Sequence, residues 1–329
     1  MLFQIYGDGA GWQLLGWVLV FAGLVLANEF ARRTKIGGLI CFGAIPAILT
    51  VYFIAIYICA ANGAEWALNN DTYVHMTSWF HYAKLYAATA GCIGFMMLKY
   101  KWGIGKTEWF KVFPFAIVAI NILIAVVSDF ESGIRGFMAM KEFGDRWWLS
   151  SENVWLYGGW WNWVNGIAGI LNIFCMTGWW GIYTSKKHDD MLWPDMTWCF
   201  ILAYDLWNFA YVYNCVSDHS FYAGAALLVS CTIPAFFMGK GAWLQHRAQT
   251  LAIWMMFTMC FPVFVDESMF AVKSSHNPDA LWTLSALALA FNIGVLVFHF
   301  YKIFKYKRNP LKVEVYIDEP KYAEIAVKK

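Results

Sequence analysis

The stretch from Trp198 to Asn214, WCFILAYDLWNFAYVYN, is long enough to cross a bilayer and places Asp205 near its centre. A crossing helix takes about 20 predominantly apolar residues. A carboxylate at that depth costs several kcal/mol unless it is protonated, paired or wetted, so it faces the protein interior or a water-filled cavity. The run therefore predicts a polytopic α-helical membrane protein with a polar interior, and Asp205 is its first functional candidate.

Working outward, the whole chain has the same character. Of its 329 residues 60% are hydrophobic, 19% aromatic and only 14% charged, against about a quarter charged in soluble domains. The net charge of +2 gives no reason to expect a nucleic-acid partner. All eight cysteines sit in apolar runs without a Cys-x-x-Cys pair, so no disulfide framework, zinc site or haem attachment is read from them. The chain opens MLFQIYGD, and its first basic cluster follows the first apolar run. That order is the reverse of a secretory leader, and the first apolar segment is expected to stay as a spanning helix.

Hydropathy predicts nine spans, at about 12–30, 37–61, 79–98, 112–130, 155–183, 196–216, 221–239, 248–267 and 281–303. Residues 1–304 form the membrane domain and 305–329 a short charged tail, expected to be mobile or to lie on the membrane surface. Alternate connections are basic: Lys84 lies inside a span, and of the other Lys and Arg residues 19 fall on one side (Arg32, Lys99, Lys186, Lys240, Arg247 and the tail among them) and four on the other. The positive-inside rule then puts the amino terminus outside and the tail in the cytoplasm. An odd number of spans is required, and nine satisfies it. The opposite face is acidic, with Glu65, Asp71, Asp129, Glu131, Glu152, Asp218, Asp266 and Glu267. Asp129 with Glu131, and Asp266 with Glu267, fall at outer span ends and are expected either to rim an outward vestibule or to stand as solvated helix ends. The connection at 131–154 is rich in aromatics and is expected to hold a short interfacial helix.

Helical spacing groups the polar residues within the spans. Asn162, Asn165, Gly169 and Asn172 form a stripe down the fifth. Asp205 and Asn208 are three apart in the sixth, with Tyr204 and Tyr211 on the neighbouring face. The fourth offers Asn121, the ninth Asn292, and the third brings His81 and Lys84 one turn apart. Interhelical hydrogen bonds of about 0.6–2 kcal/mol explain single asparagines; an ionisable group at midplane asks for a function. Lys84 either snorkels outward or pairs with Asp205. Glu29 is placed to pair with Arg32 or Arg33 at the inner interface.

Several chemistries are excluded. The sequence has no His-Glu-x-x-His, no Gly-rich phosphate loop and no Gly-x-Ser-x-Gly elbow. Its seven histidines show no ligand spacing, so neither metal nor cofactor is expected. The run Tyr204–Asn214 followed by Asp218, His219, Ser220, Phe221 and Tyr222 resembles an uncharacterised family of bacterial polytopic membrane proteins. That resemblance implies a bacterial inner-membrane source and assigns no activity or site residue.

The expectation is a carrier or channel for a small solute or ion, with a polar pathway between the fourth, fifth, sixth and ninth spans. Asp205 is its proton- or cation-linked group, Asn208, Asn162 and Asn165 orient the solute, and Lys84 is a gating counter-charge. The alternatives are an integral-membrane enzyme acting on a lipid, with Asp205 and Tyr204 or Tyr211 in proton transfer, and a structural or sensor subunit. Membrane lipids are the expected partners, and a homo-oligomer is compatible with all three.

Overall fold

Backbone groups surrounded by apolar side chains have no water to bond to, and a helix satisfies them within its own segment. A computed structural model describes residues 2–76, 79–150, 154–187 and 190–328, and it is mostly helical with two small two-stranded ribbons. Glu152 and His188 lie outside the described residues. The long helices are α1 (Ala10–Arg33), α2 (Lys35–Ala61), α3 (Trp79–Tyr100), α4 (Val112–Phe143), α5 (Trp160–Phe174), α6 (Trp198–Cys215), α7 (Ser217–Phe237), α8 (Trp243–Cys260) and α9 (Pro278–Tyr306).

Among the described residues, five helices are long and apolar enough to cross a membrane: α1, α2, α4 with the turn before it, α7 and α9. Each of the nine expected spans overlaps a helix, though the fifth, expected at 155–183, is α-helical only over Trp160–Phe174, and α3, α5, α6 and α8 do not reach that standard. Helix α5 has only 15 residues, about 22 Å of rise. Helices α3, α6 and α8 bury polar side chains, including Lys84, Asn208 and Arg247. Three of the helices that look least like spans are those whose polar side chains are turned into the bundle.

The helices pack as two groups. Helix α6 lies against α4, α5 and α9; helix α8 lies against α1, α3 and α7; the groups meet where α3 touches α4 and α6 touches α7. Gly169 permits one of the close contacts, since a Cβ there would lie 2.6 Å from both Trp207 Nε1 and Val126 Cγ2. Helix α7 includes a π-helical segment, Ser220–Ala226, of the wide-turned kind often found at functional sites.

Three expectations about the connections are corrected. Helix α4 does not end near residue 130 but runs on to Phe143 and stops at Gly144, whose φ of 76° is left-handed. Among the described residues, the aromatic connection that follows holds no helix: β1 (Trp147–Leu149) pairs antiparallel with β2 (Trp155–Tyr157), and Trp147 packs on Tyr157. The described part of the tail, expected to be mobile or to lie on the membrane surface, packs on the rest of the chain. It folds back so that Val315 and Tyr316 are buried and donate their N–H groups to Asp195 at 2.8 and 3.0 Å. Lys302 pairs with Asp318 at 2.7 Å, and α10 (Pro320–Ala326) buries Ile325 beside Leu192 of the β3 (Tyr183–Thr184) and β4 (Met191–Leu192) ribbon.

Phe3 bridges Ser274, so the amino terminus and the 268–277 connection share one end of the bundle. The other end carries the tail. These are the N-terminal face and the tail face below.

Candidate functional site: a cavity with two buried cations

A cavity of about 70 Å³ lies at the seam between the two helix groups, walled by α3, α4, α6, α7 and α8. His81 and Lys84 come from α3, Asn121 from α4, and Tyr204, Asn208 and Tyr211 from α6. These six residues, scattered over three predicted spans, are brought together because an i, i+3, i+4, i+7 pattern turns each polar set to one side of its helix. The π-helical segment of α7 supplies Ala223, and α8 supplies Arg247, Trp254 and Thr258.

Arg247 is the residue that sequence reasoning misplaced. It was expected in a basic connection before a span starting at 248; instead α8 begins at Trp243, and Arg247 is 6% exposed. Its Nη2 donates to Asn208 Oδ1 at 3.1 Å, its guanidinium lies 6.0 Å from the Tyr204 ring centroid, and its Nε and Nη1 make no hydrogen bond. A hydropathy window discounts the polar segment Gln245, His246, Arg247, Gln249 and Thr250, all of which are buried. The available signal was that the run from Trp243 to Cys260 is helix-length and lacks Gly and Pro.

Lys84 is 8% exposed and donates from Nζ to the Asn121 carbonyl at 2.9 Å, with its ammonium 5.5 Å from the Tyr211 ring centroid and 5.6 Å from that of Phe80. It neither snorkels to the surface nor pairs with Asp205. Among the described residues, no carboxylate lies within ion-pair distance of Lys84 or Arg247.

His81 and His219 stand in the wall of this cavity and of a wider one, about 440 Å³, at the N-terminal face. Asp266 and Glu267 line the wider space together with His75, Asp218, Lys273 and His276. His219 Nε2 bonds Asp266 Oδ1 at 2.8 Å, and Lys273 pairs with Asp218 at 3.2 Å. Glu131 is exposed and lines a neighbouring space of about 70 Å³ that also reaches His219.

Asp129 is not a rim residue. Because α4 continues past it, Asp129 is fully buried against α5, where its oxygens accept from Asn162 Nδ2 at 3.1 Å and Asn165 Nδ2 at 2.7 Å. The asparagine stripe thus has a carboxylate for its partner and lies away from the cavity, as do Asn172, which donates to the Ala168 carbonyl, and Asn292, which ties α9 to the Ala203 carbonyl at 3.1 Å. The polar space involves neither α5 nor α9. Asp205 also faces elsewhere: Trp243 Nε1 donates to Thr232 Oγ1 at 3.0 Å, and that hydroxyl donates to Asp205 Oδ2 at 2.7 Å. This chain joins α6, α7 and α8 beside the cavity without entering it.

Toward the tail face the space is filled. Arg32 reaches Glu29 at 2.6 Å and Asp190 at 2.9 Å, Gln245 donates to Asp190 at 3.2 Å, and Lys99 donates to the Arg32 carbonyl at 2.7 Å. Arg33 also pairs with Glu29, at 2.6 Å, and Asn28 Nδ2 meets His246 Nδ1 at 2.6 Å. Gln245 and His246 of this network immediately precede Arg247 of the cavity.

Among the described residues, no group of three or more His, Cys, Asp or Glu is arranged to hold a metal ion. The polar groups around this small space are a guanidinium, an ammonium, two phenols, two amides, two imidazoles and a hydroxyl. No curated protein and no solved structure matches the chain. The model of DUF5692, a family of unknown function, matches residues 7–328, and the chain belongs to that family.

Proposed function

We propose that the protein is a nine-span membrane carrier for a small solute, with its N-terminal face outside and its tail in the cytoplasm. The observation that supports this reading is the succession of spaces from the N-terminal face, past His219 and His81, to Lys84 and Arg247, and its end at the Arg32–Glu29–Asp190–Gln245 network. A site reached from one side and sealed on the other is what alternating access requires of one state of a carrier, and a channel would need both sides open. Because network and site adjoin on α8, a shift of that helix moves both.

Asp205 is the ionisable group of the transport cycle rather than a solute ligand. Its hydroxyl–indole chain links the three helices α6, α7 and α8 that also wall the cavity, so its charge state acts on their packing. The excess of Lys and Arg expected on the tail side, 18 without Arg247 against four, supports the orientation.

The test is uptake into proteoliposomes of a labelled panel of small neutral, anionic and cationic solutes, with wild type beside Arg247→Gln. Saturable uptake of at least one class, lost in the variant, is expected. Uptake by folded wild type equal to that of protein-free vesicles for every class would remove the carrier reading.

A further inference from the structure

We infer that the central cavity binds a small planar oxyanion, a carboxylate in the first instance, between Arg247 and Lys84. The inference names the solute class of the carrier proposed above and rests on that assignment of the site.

The argument begins with charge. Two cations are buried side by side in a helix bundle, where an uncompensated charge is penalised heavily. Two other buried cations have their carboxylates at hand: Arg32 has Glu29 and Asp190, and Lys302 has Asp318. Lys84 and Arg247 do not. Lys84 has a neutral carbonyl, and Arg247 has a neutral amide on Nη2 with Nε and Nη1 unbonded. Asp205, the carboxylate on the adjoining helix face, is near enough to act on Arg247 through space, but it accepts from Thr232, forms no ion pair with Arg247 and is absent from the cavity wall. A cavity lined by two buried cations, with no carboxylate in its wall, is completed when an anion enters it.

Geometry narrows the anion. A guanidinium offers its donors in a plane and matches a two-oxygen acceptor, whereas a halide uses only one direction at a time. The ammonium of Lys84 adds a second, freely rotating donor. Asn208 keeps the guanidinium fixed through Nη2, and Nε and Nη1, buried and without a hydrogen bond, are the donors that an entering ligand has to reach. The space of about 70 Å³ admits a carboxylate group with little attached to it. Larger carboxylates require the adjoining space, about 30 Å³, that shares Asn121, Tyr204 and Arg247.

The experiment is titration calorimetry on the full-length protein purified in detergent, at fixed ionic strength set by a bulky sulfonate. Acetate is the probe, acetamide its neutral isostere, guanidinium the cation control and benzoate the larger carboxylate. The variants are Arg247→Gln, Arg247→Lys and Lys84→Met, each checked for native helicity and a single elution peak. Acetate should bind saturably, acetamide and guanidinium should not, and Arg247→Gln should weaken acetate by at least about tenfold. Arg247→Lys should give an intermediate loss, because it keeps the charge and discards the fork. Benzoate binding more weakly than acetate would assign the site to the smaller anion; stronger benzoate binding would assign it to the carboxylate end of a larger solute.

Acetamide binding as well as acetate would overturn the inference, as would unsaturable acetate in folded wild type or an unchanged affinity in Arg247→Gln. Binding needs no membrane, so the two proposals fail separately. Acetate binding without flux would sink the carrier, while flux of neutral solutes without acetate binding would sink the anion.

Discussion

Arg247 Nη2 lies 3.1 Å from Asn208 Oδ1, joining α8 to α6 across the wall of the central cavity. The pair couples a residue that charge counting placed in a connection to one that helical spacing placed in a polar core. A neutral amide, rather than a carboxylate, receives the guanidinium, and the site therefore keeps its positive charge.

Replacing Asn208 tests that relationship in two directions. Asn208→Leu removes the acceptor from a buried charged donor and should lower the stability by about 1–3 kcal/mol, read as a lower thermal midpoint in detergent. Asn208→Asp supplies the missing counter-charge. It should raise the midpoint and abolish acetate binding together, whereas a fall in the midpoint would show that Arg247 is already neutralised.

Asp129 is held by two amide donors from one face of α5. Asp129→Ala should leave both amides without their acceptor in a sealed interior and cost about 2–4 kcal/mol, measured as a thermal shift. Asp129→Asn should cost less. Both variants should transport normally per folded molecule, since neither Asn162 nor Asn165 touches the cavity; loss of flux at unchanged stability would return Asp129 to the pathway.

Asp205→Asn should keep an acceptor for the Thr232 hydroxyl and leave acetate affinity within about threefold of wild type. Flux, by contrast, should fall at least about tenfold if the charge state of Asp205 drives the cycle. Equal losses of binding and flux would place Asp205 in the solute site, contrary to its position behind Thr232.

The docked tail should respond to pH through Asp195. Burial pushes this carboxyl from the ordinary 3.8 up to about 7, against the pull of the Val315 and Tyr316 N–H groups and with added repulsion from Glu314. An acid whose value is raised in the docked state stabilises docking when protonated: the contribution is complete below the ordinary value and is lost as pH rises through 7. Limited proteolysis within residues 305–328 should therefore be faster at pH 8.5 than at pH 5.5. Asp195→Asn should flatten that dependence, and a persistent pH effect in the variant would assign it to another group.

The sequence by itself determined the class of this protein and the location of most of its helices. Apolar runs force the backbone to bond within itself, and a membrane-length run such as Lys35–Ala61 has no other solution. Helical spacing also sorted His81 with Lys84, and Tyr204 with Asn208 and Tyr211, because faces are a local property of the helix. Which faces meet is a property of packing, and there the sequence was mute. Asn162 and Asp129 are 33 positions apart, and only the continuation of α4 past residue 130 turns that carboxylate inward. Arg247 reads as an ordinary interfacial cation until α1, α3 and α7 close around α8. Tertiary structure alone decided that Asp205 faces Thr232 while two cations face the cavity. Hydropathy averages a side chain over its neighbours in sequence, whereas the energy of a buried charge depends on the atoms that surround it in space.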